Sequence, residues 1–242
     1  MLRSVALVLL FSTVGVAVFA AWAHPQSPVG RCAAHDWPPE PGWPPQEKMG
    51  YTYYLRNLIT EPSRLPEGLD GLYPVRGESW VSQVEGVNPR TDTHFPRFGN
   101  QFAVDIAAEV GAPVVAFRSG RVVRVQDGYP DFPCGGRYSM RASEGNTVTV
   151  EDASGLWITY HHLQKGSLAV KLGEQIEAGR LIAAVGRSGT GWKAPHLHLE
   201  AGGAVVVDGK VTGLTVPLRF KICGSTDAAR RLERGERFNC AG

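Results

Sequence analysis

From about residue 72 the chain breaks into short runs in which Val, Ile, Thr and Tyr gather, with Gly or Asp between the runs. Such residues fit the pleated, half-buried surface of a strand. The pattern predicts strands at Ser79 to Val84, Phe102 to Ala107, Pro113 to Ala116, Gly120 to Gln126, Asn146 to Glu151 and Trp157 to Leu163. It predicts three more at Leu181 to Val185, His196 to Glu200 and Val205 to Val211. Asp208-Gly209, set between Val205-Val206-Val207 and Val211, is a hairpin signal. Beyond residue 65 no stretch repeats with helical period, so the expectation is an all-β domain, a two-sheet sandwich or partly closed barrel. Upstream, Tyr51, Tyr53, Tyr54, Leu55, Leu58 and Ile59 suggest one short helix within residues 49–64.

The N-terminus is patterned differently. Arg3 precedes an almost uninterrupted apolar run from Val5 to Ala21, and Ala21-Trp22-Ala23 has the small-x-small form of a cleavage site. This predicts a signal peptide over residues 1–23 and a secreted, periplasmic or cell-envelope location. An uncleaved membrane anchor is the alternative, since the run is nearly long enough to span a bilayer. Residues 24–71 form a Pro-, Trp- and Tyr-rich arm containing Trp37-Pro38-Pro39 and Trp43-Pro44-Pro45. Proline lacks the donor a sheet ladder needs, so the first part of this arm is expected to be extended or irregular. It is a candidate segment for binding a protein partner. The main domain is expected at 72–219 and a tail at 220–242.

Composition narrows the function. The chain has 242 residues and a net charge of +2, too weak a balance for nucleic-acid binding, and it has no basic run. The 29 Gly and 17 Pro suit a turn-rich β protein. A monomer is expected. Four cysteines in an exported chain suggest two disulfides. The expected pairs are Cys223–Cys240, stapling the tail, and Cys32–Cys134, tying the arm to a loop.

Candidate chemistry centres on Pro195-His196-Leu197-His198-Leu199-Glu200. In a strand, residues i and i+2 share a face, so His196 and His198 project together and Leu197 and Leu199 turn away. Such a pair can bind one metal, or divide metal binding from proton transfer. Further candidates are His94, His161, His162 and Asp105, whose carboxylate lies within the apolar run Ala103 to Ala107 and needs a partner.

Read in order, the chain has Ala103-Val104-Asp105-Ile106-Ala107, Gly111-Ala112-Pro113, Gly120-Arg121-Val122-Val123, Gly145-Asn146-Thr147-Val148, Tyr160-His161-His162-Leu163, Gly186-Arg187-Ser188-Gly189 and His196-Leu197-His198. This order resembles the LytM/lysostaphin-type zinc metallopeptidases, which are murein endopeptidases, over about residues 72–205. The resemblance implies zinc as cofactor, peptidoglycan stem or cross-bridge peptides as substrate, Asp105 and His198 as zinc ligands, and His162 and His196 as catalytic histidines. Strand alternation then groups His162 with Tyr160 and makes His161 a bystander. Tyr160 and Trp192 are expected to line the substrate groove.

The family's first zinc ligand is a histidine four residues before the aspartate, a position held here by Gln101. A neutral amide oxygen is a poor zinc ligand. Two readings stay open. In the first, His94 completes a His94–Asp105–His198 set, with Gln101 the weaker candidate. Otherwise the site is degenerate, and the domain binds cell wall or regulates a wall amidase without cutting.

Overall fold

The computed structural model describes residues 58–59, 65–85, 93–94, 100–129, 131, 145–189, 194–207 and 210–241. All of them lie in the compact unit Arg31–Gly242. The signal-peptide segment, the body of the arm, Cys32, Cys134 and Trp192 lie outside the described residues.

The domain is all-β. Its strands are β1 (Leu58–Ile59), β2 (Leu69–Leu72), β3 (Gly77–Gln83), β4 (Val104–Ala108), β5 (Pro113–Val115), β6 (Gly120–Gln126) and β7 (Asn146–Glu151). They continue with β8 (Trp157–Leu163), β9 (Gln175–Ile176), β10 (Leu181–Ala184), β11 (His196–Val207), β12 (Lys210–Thr215), β13 (Leu218–Lys221) and β14 (Arg237–Cys240). One large sheet runs in the order β14-β3-β4-β11-β8-β7-β6-β9, with β1 and β12 also pairing to β11. Two small two-stranded sheets, β10-β5 and β13-β2, accompany it. The large sheet does not close on itself.

The strand pattern of the sequence reappears closely at β6, β7 and β8, where alternation or β-branched content is strongest. Leu58–Ile59, expected in a helix, instead pairs parallel to Ala204 and Val205 of β11. The β11–β12 pair takes the antiparallel register expected of that hairpin, Val207 opposite Lys210, with residues 208–209 outside the described residues. It is longer than expected on both arms, because β11 runs from His196 to Val207 as one strand.

The core lies on the sheet face opposite the histidines. Val81 of β3, Ile106 of β4, Leu197 and Leu199 of β11, Ile158 and Tyr160 of β8, and Val148 and Val150 of β7 are all fully buried. Each such aliphatic side chain contributes about 1.5–3 kcal/mol on leaving water. This layer fixes which residues of β4 and β11 face the other way, because the side-chain period is two.

The C-terminal residues are built into this body. Strand β13 pairs parallel with β2, and β14 pairs antiparallel with β3. The expected Cys223–Cys240 disulfide is present, with a Cα–Cα distance of 5.6 Å and a sequence separation of 17. Closing a loop of that length restricts the unfolded chain by about 3 kcal/mol.

Candidate metal centre and catalytic histidines

Strand β11 is flanked by β4 and β8, and His198 has Asp105 as its Cα partner on one side and His161 on the other. Beyond β4, Gln83 of β3 is the partner of Asp105. Gln83, Asp105, His198 and His161 thus form a row of polar residues across four strands.

His94 reaches this row from the segment before β4. With its oxygen turned toward the chain at 93–94, the Gln83 amide accepts the backbone N–H groups of Thr93 and His94 at 3.0 Å each. The His94 ring donates from Nδ1 to the Val84 carbonyl at 3.1 Å. That bond leaves the lone pair on Nε2, which lies 3.2 Å from Asp105 Oδ1 and 3.3 Å from His198 Nδ1. Asp105 Oδ1 and His198 Nδ1 are 2.8 Å apart. His94 is fully buried and Asp105 nearly so.

Three donor atoms therefore converge in a triangle with edges of 2.8, 3.2 and 3.3 Å. Bonds of about 2.1 Å to a tetrahedral zinc give edges of about 3.4 Å, and two imidazoles with a carboxylate is an ordinary zinc donor set. Charge tells the same story. Burial opposes ionisation of Asp105, yet hydrogen bonds with His198 and His94 outweigh it and hold the carboxyl well below the usual range. Burial likewise opposes a charge on His198, but Asp105 and Glu200 overcome it and push its pKa up to about 10. This arrangement of charges favours a cation among the three donors. The residues fit zinc.

Gln101 stands apart from this triangle. Its amide nitrogen donates to Glu85 Oε1 in a short hydrogen bond, and Glu85 Oε2 lies 3.6 Å from Arg231 Nη2 of the C-terminal segment. The residue at the family's usual ligand position is thus committed to a surface network, and His94 supplies the third donor.

Two imidazoles adjoin the triangle. His196 donates from Nδ1 to the Ala194 carbonyl at 2.8 Å, and its Nε2 lies 3.9 Å from Asp105 Oδ2. His162 donates from Nδ1 to the Ser188 carbonyl at 2.8 Å. The two rings are 4.8 Å apart. Both hydrogen bonds fix the tautomer with a bare Nε2. Burial, followed by the neighbouring imidazoles of His196, His198 and His161, keeps the His162 pKa well below its ordinary value.

The alternation expected along β8 fails here. Asn146 pairs with Leu163 and Val148 with Tyr160, so Thr147 alone stands opposite both His161 and His162. This is a β-bulge, which places two residues against one and re-aims a side chain. His162 takes φ of 62°, the left-handed region that non-glycine residues rarely occupy. Both histidines consequently reach the site, with the His161 and His162 rings 5.3 and 5.9 Å from that of His198. His161 therefore adjoins His198 on the site face, contrary to the expected alternation. Tyr160 is also corrected: it is fully buried in the core, and its hydroxyl accepts the Phe117 N–H at 2.7 Å, so it lines no groove.

The bulge is held from outside the strand. Ser188 Oγ accepts the Asn146 N–H at 2.9 Å and donates to the Leu163 carbonyl at 2.7 Å. Gly145 sits so close that a Cβ there would lie 2.2 Å from the Ser188 oxygen, and its φ is +63°. A Cβ on Gly186 would meet Gln164 N at 2.4 Å, and its N–H bonds to the His162 carbonyl at 3.0 Å. Gly189, in the same run, takes a φ of 71°.

Sequence reasoning missed Glu200 and Thr147. Glu200 Oε2 lies 3.6 Å from His198 Nε2, and Glu200 Oε1 lies 3.7 Å from His161 Nε2. Its i+2 spacing from His198 was the available signal. Thr147 carried none.

Residues 99–208 match the model of Peptidase family M23. That stretch is similar to the M23 peptidases. A 105-residue stretch is 33% identical to the glycyl-glycine endopeptidase ALE-1 of Staphylococcus capitis, covering 42% of this chain and 24% of that protein. A 102-residue stretch is 30% identical to lysostaphin of Staphylococcus simulans, covering 42% of this chain and 18% of lysostaphin. The chain thus spans a quarter or less of the length of these relatives. Among solved structures, a catalytic domain of the prophage-encoded M23 protein EnpA from Enterococcus faecalis is 25% identical. It has a TM-score of 0.41, with 57% of this chain and 88% of that chain covered. The antimicrobial peptidase lysostaphin from Staphylococcus simulans gives 24% identity and a TM-score of 0.38, covering 55% of this chain and 46% of that one.

Proposed function

We propose that this protein is an exported zinc-dependent endopeptidase that hydrolyses peptide bonds in the stem or cross-bridge peptides of peptidoglycan. The carrying observation is the converging His94, Asp105 and His198 donors beside two imidazoles with bare Nε2 atoms. The match to Peptidase family M23 supports the reaction class. Similarity to a glycyl-glycine endopeptidase supports a glycine-containing cross-bridge as one substrate.

The chemistry divides among the residues. When bound, zinc supplies Lewis acidity, polarising a carbonyl and making water nucleophilic near neutral pH. His94 and His198 would hold the ion through nitrogen, and Asp105 through a carboxylate oxygen. His162, kept unprotonated by its surroundings, takes a proton from the attacking water at Nε2 and returns it to the leaving amine. His196, on the other side of the 4.8 Å ring pair, orients the same reacting group and, in its protonated form, donates to the developing oxyanion from Nε2. The fixed Nδ1–H bonds of both rings spare the site a tautomer search before each turnover.

The test is the zinc content of the purified protein, wild type beside His94→Ala, with hydrolysis of purified peptidoglycan and of a glycine peptide measured on both. A single equivalent of zinc in the wild type, lost with activity in His94→Ala, is expected. Zinc retained in the variant would transfer the ligand role away from His94. A wild type without zinc or hydrolysis would leave the reading of a wall-binding or amidase-regulating domain.

A further inference from the structure

We propose that His161 is a positioning residue, which, by clamping the Glu200 carboxylate against His198, fixes the ring orientation in which His198 presents Nδ1 to a metal. This rests on the reading of His198 as a metal ligand. It concerns a histidine that neither the ligand triangle nor the proton-handling pair uses.

The geometry starts from His198. Its Nδ1 belongs to the donor triangle, so the ring proton must sit on Nε2, and the group facing Nε2 is Glu200 Oε2 at 3.6 Å. A carboxylate in that place favours the required tautomer and strengthens the opposite nitrogen as a donor. Glu200 is itself mostly buried, with 16% side-chain exposure, so water does not hold it in place. Its other oxygen faces His161 Nε2 at 3.7 Å. Both separations exceed a hydrogen bond, so the contact is electrostatic: a carboxylate held between two imidazole rings.

His161 is in turn anchored. It is the direct Cα partner of His198 across the β8–β11 ladder, so the two side chains are neighbours on one face. Its Nδ1 lies 3.1 Å from Thr147 Oγ1, whose proton can go there or to the Gly145 carbonyl, also at 3.1 Å and already accepting from Gln126 Nε2 at 3.2 Å. A threonine hydroxyl has a single proton. Given to His161 Nδ1, it leaves the His161 ring proton on Nε2, directed at Glu200. The chain Thr147–His161–Glu200–His198 then runs from β7 through β8 to β11 with a donor facing an acceptor at each step. The bulge opposite Thr147 is what allows β8 to supply His162 to proton transfer and His161 to this chain.

Two substitutions separate the ends of the imidazole. His161→Asn keeps a polar group where Nδ1 meets Thr147 and removes the one that reaches Glu200. His161→Gln keeps the reach to Glu200. Zinc affinity of the full chain is measured by competition with a chelator, alongside the visible absorption spectrum of the cobalt-loaded protein and the melting temperature without metal. His161→Asn should raise the zinc Kd about tenfold and alter the cobalt bands, and Glu200→Gln should raise the Kd by about 10–100-fold. His161→Gln should stay within a few-fold of wild type with unaltered bands.

His161→Asn binding zinc as tightly as wild type would overturn the proposal. So would equal weakening in both His161 variants, accompanied by equal loss of melting temperature, because that marks a general structural role. A second zinc equivalent lost in Glu200→Gln would overturn it too, making His161, His198 and Glu200 a metal site of their own. A wild type that binds no zinc would sink the zinc-peptidase reading and this proposal together. Wild-type binding that His161→Asn leaves unchanged would sink this proposal alone.

Discussion

Strands β8 and β11 each bring two histidines to the same site, by opposite means. On β11, His196 and His198 are two residues apart, and Leu197 and Leu199 are fully buried on the reverse face. Ordinary alternation is enough to bring both rings to the site face. On β8, His161 and His162 are adjacent, and an unbulged strand would send one of them into the core. A bulge opposite Thr147 and a φ of 62° at His162 bring both to the site face. Holding a non-glycine residue there costs about 1–3 kcal/mol, which the surroundings must offset. The Ser188 loop does so, through its carbonyl on the His162 ring and its hydroxyl between Asn146 and Leu163. Presenting two histidines on one face thus needs only alternation on β11, whereas on β8 it depends on a loop distant in sequence.

The sharpest way to break this contrast is to remove one ring from each strand. His198→Ala should abolish zinc binding and, with it, hydrolysis. His162→Ala should keep its zinc and lose about 10²–10⁴ in kcat, the usual contribution of a positioned acid–base group. Zinc content and turnover measured on both variants check the division. Zinc lost equally from both would mean that β8 also carries a ligand and that the strands do not divide the work.

A smaller effect should come from Gly145→Ala, which touches no histidine. The added Cβ would collide with the Ser188 carbonyl, and φ of +63° already disfavours a side chain. Strain and overpacking together should destabilise the fold by at least about 2 kcal/mol. Because the displaced carbonyl is the one that receives the His162 Nδ1–H, kcat should fall in the protein that remains folded, with zinc affinity unchanged. Chemical denaturation and a kcat measurement at a temperature where the variant is folded check this. An unchanged kcat would show that the Ser188 loop does not aim His162.

The same contrast explains what could be read from the sequence. Residues governed by local periodicity were legible: the strands β6, β7 and β8, the antiparallel pairing of β11 with β12, the shared face of His196 and His198, and Asp105 opposed to an apolar core. The Cys223–Cys240 pair was legible from proximity along the tail. What escaped depended on contacts between distant segments. Nothing in Tyr160-His161-His162-Leu163 announces a bulge, because its cause lies in Gly145, Asn146 and Ser188. Tyr160 was placed in a groove on the assumption of unbroken alternation, and the bulge leaves it in the core beneath Phe117. The strands β2, β13 and β14 are short and weakly patterned, and they form only because partners from the other end of the chain are present.

The smallest expected effect concerns Gln101, where the chain departs from the family's usual ligand. Two segments could supply the third donor: the turn before β4, which carries Gln101, or the 93–94 segment, which carries His94. Geometry separates them. His94 is fully buried, with Nε2 within 3.3 Å of both other donors, whereas the half-buried Gln101 amide is spent on Glu85. Gln101→Ala removes a surface hydrogen bond and leaves the triangle intact. Zinc affinity should therefore stay within a few-fold of wild type, and stability should change by no more than about 1 kcal/mol. Chelator competition and denaturant melts check both. A large loss of zinc in Gln101→Ala would mean that the Glu85–Gln101 contact holds the 93–94 segment in place. His94 would then be less independent of the family's original ligand position than its own hydrogen bonds to Val84 and Gln83 imply.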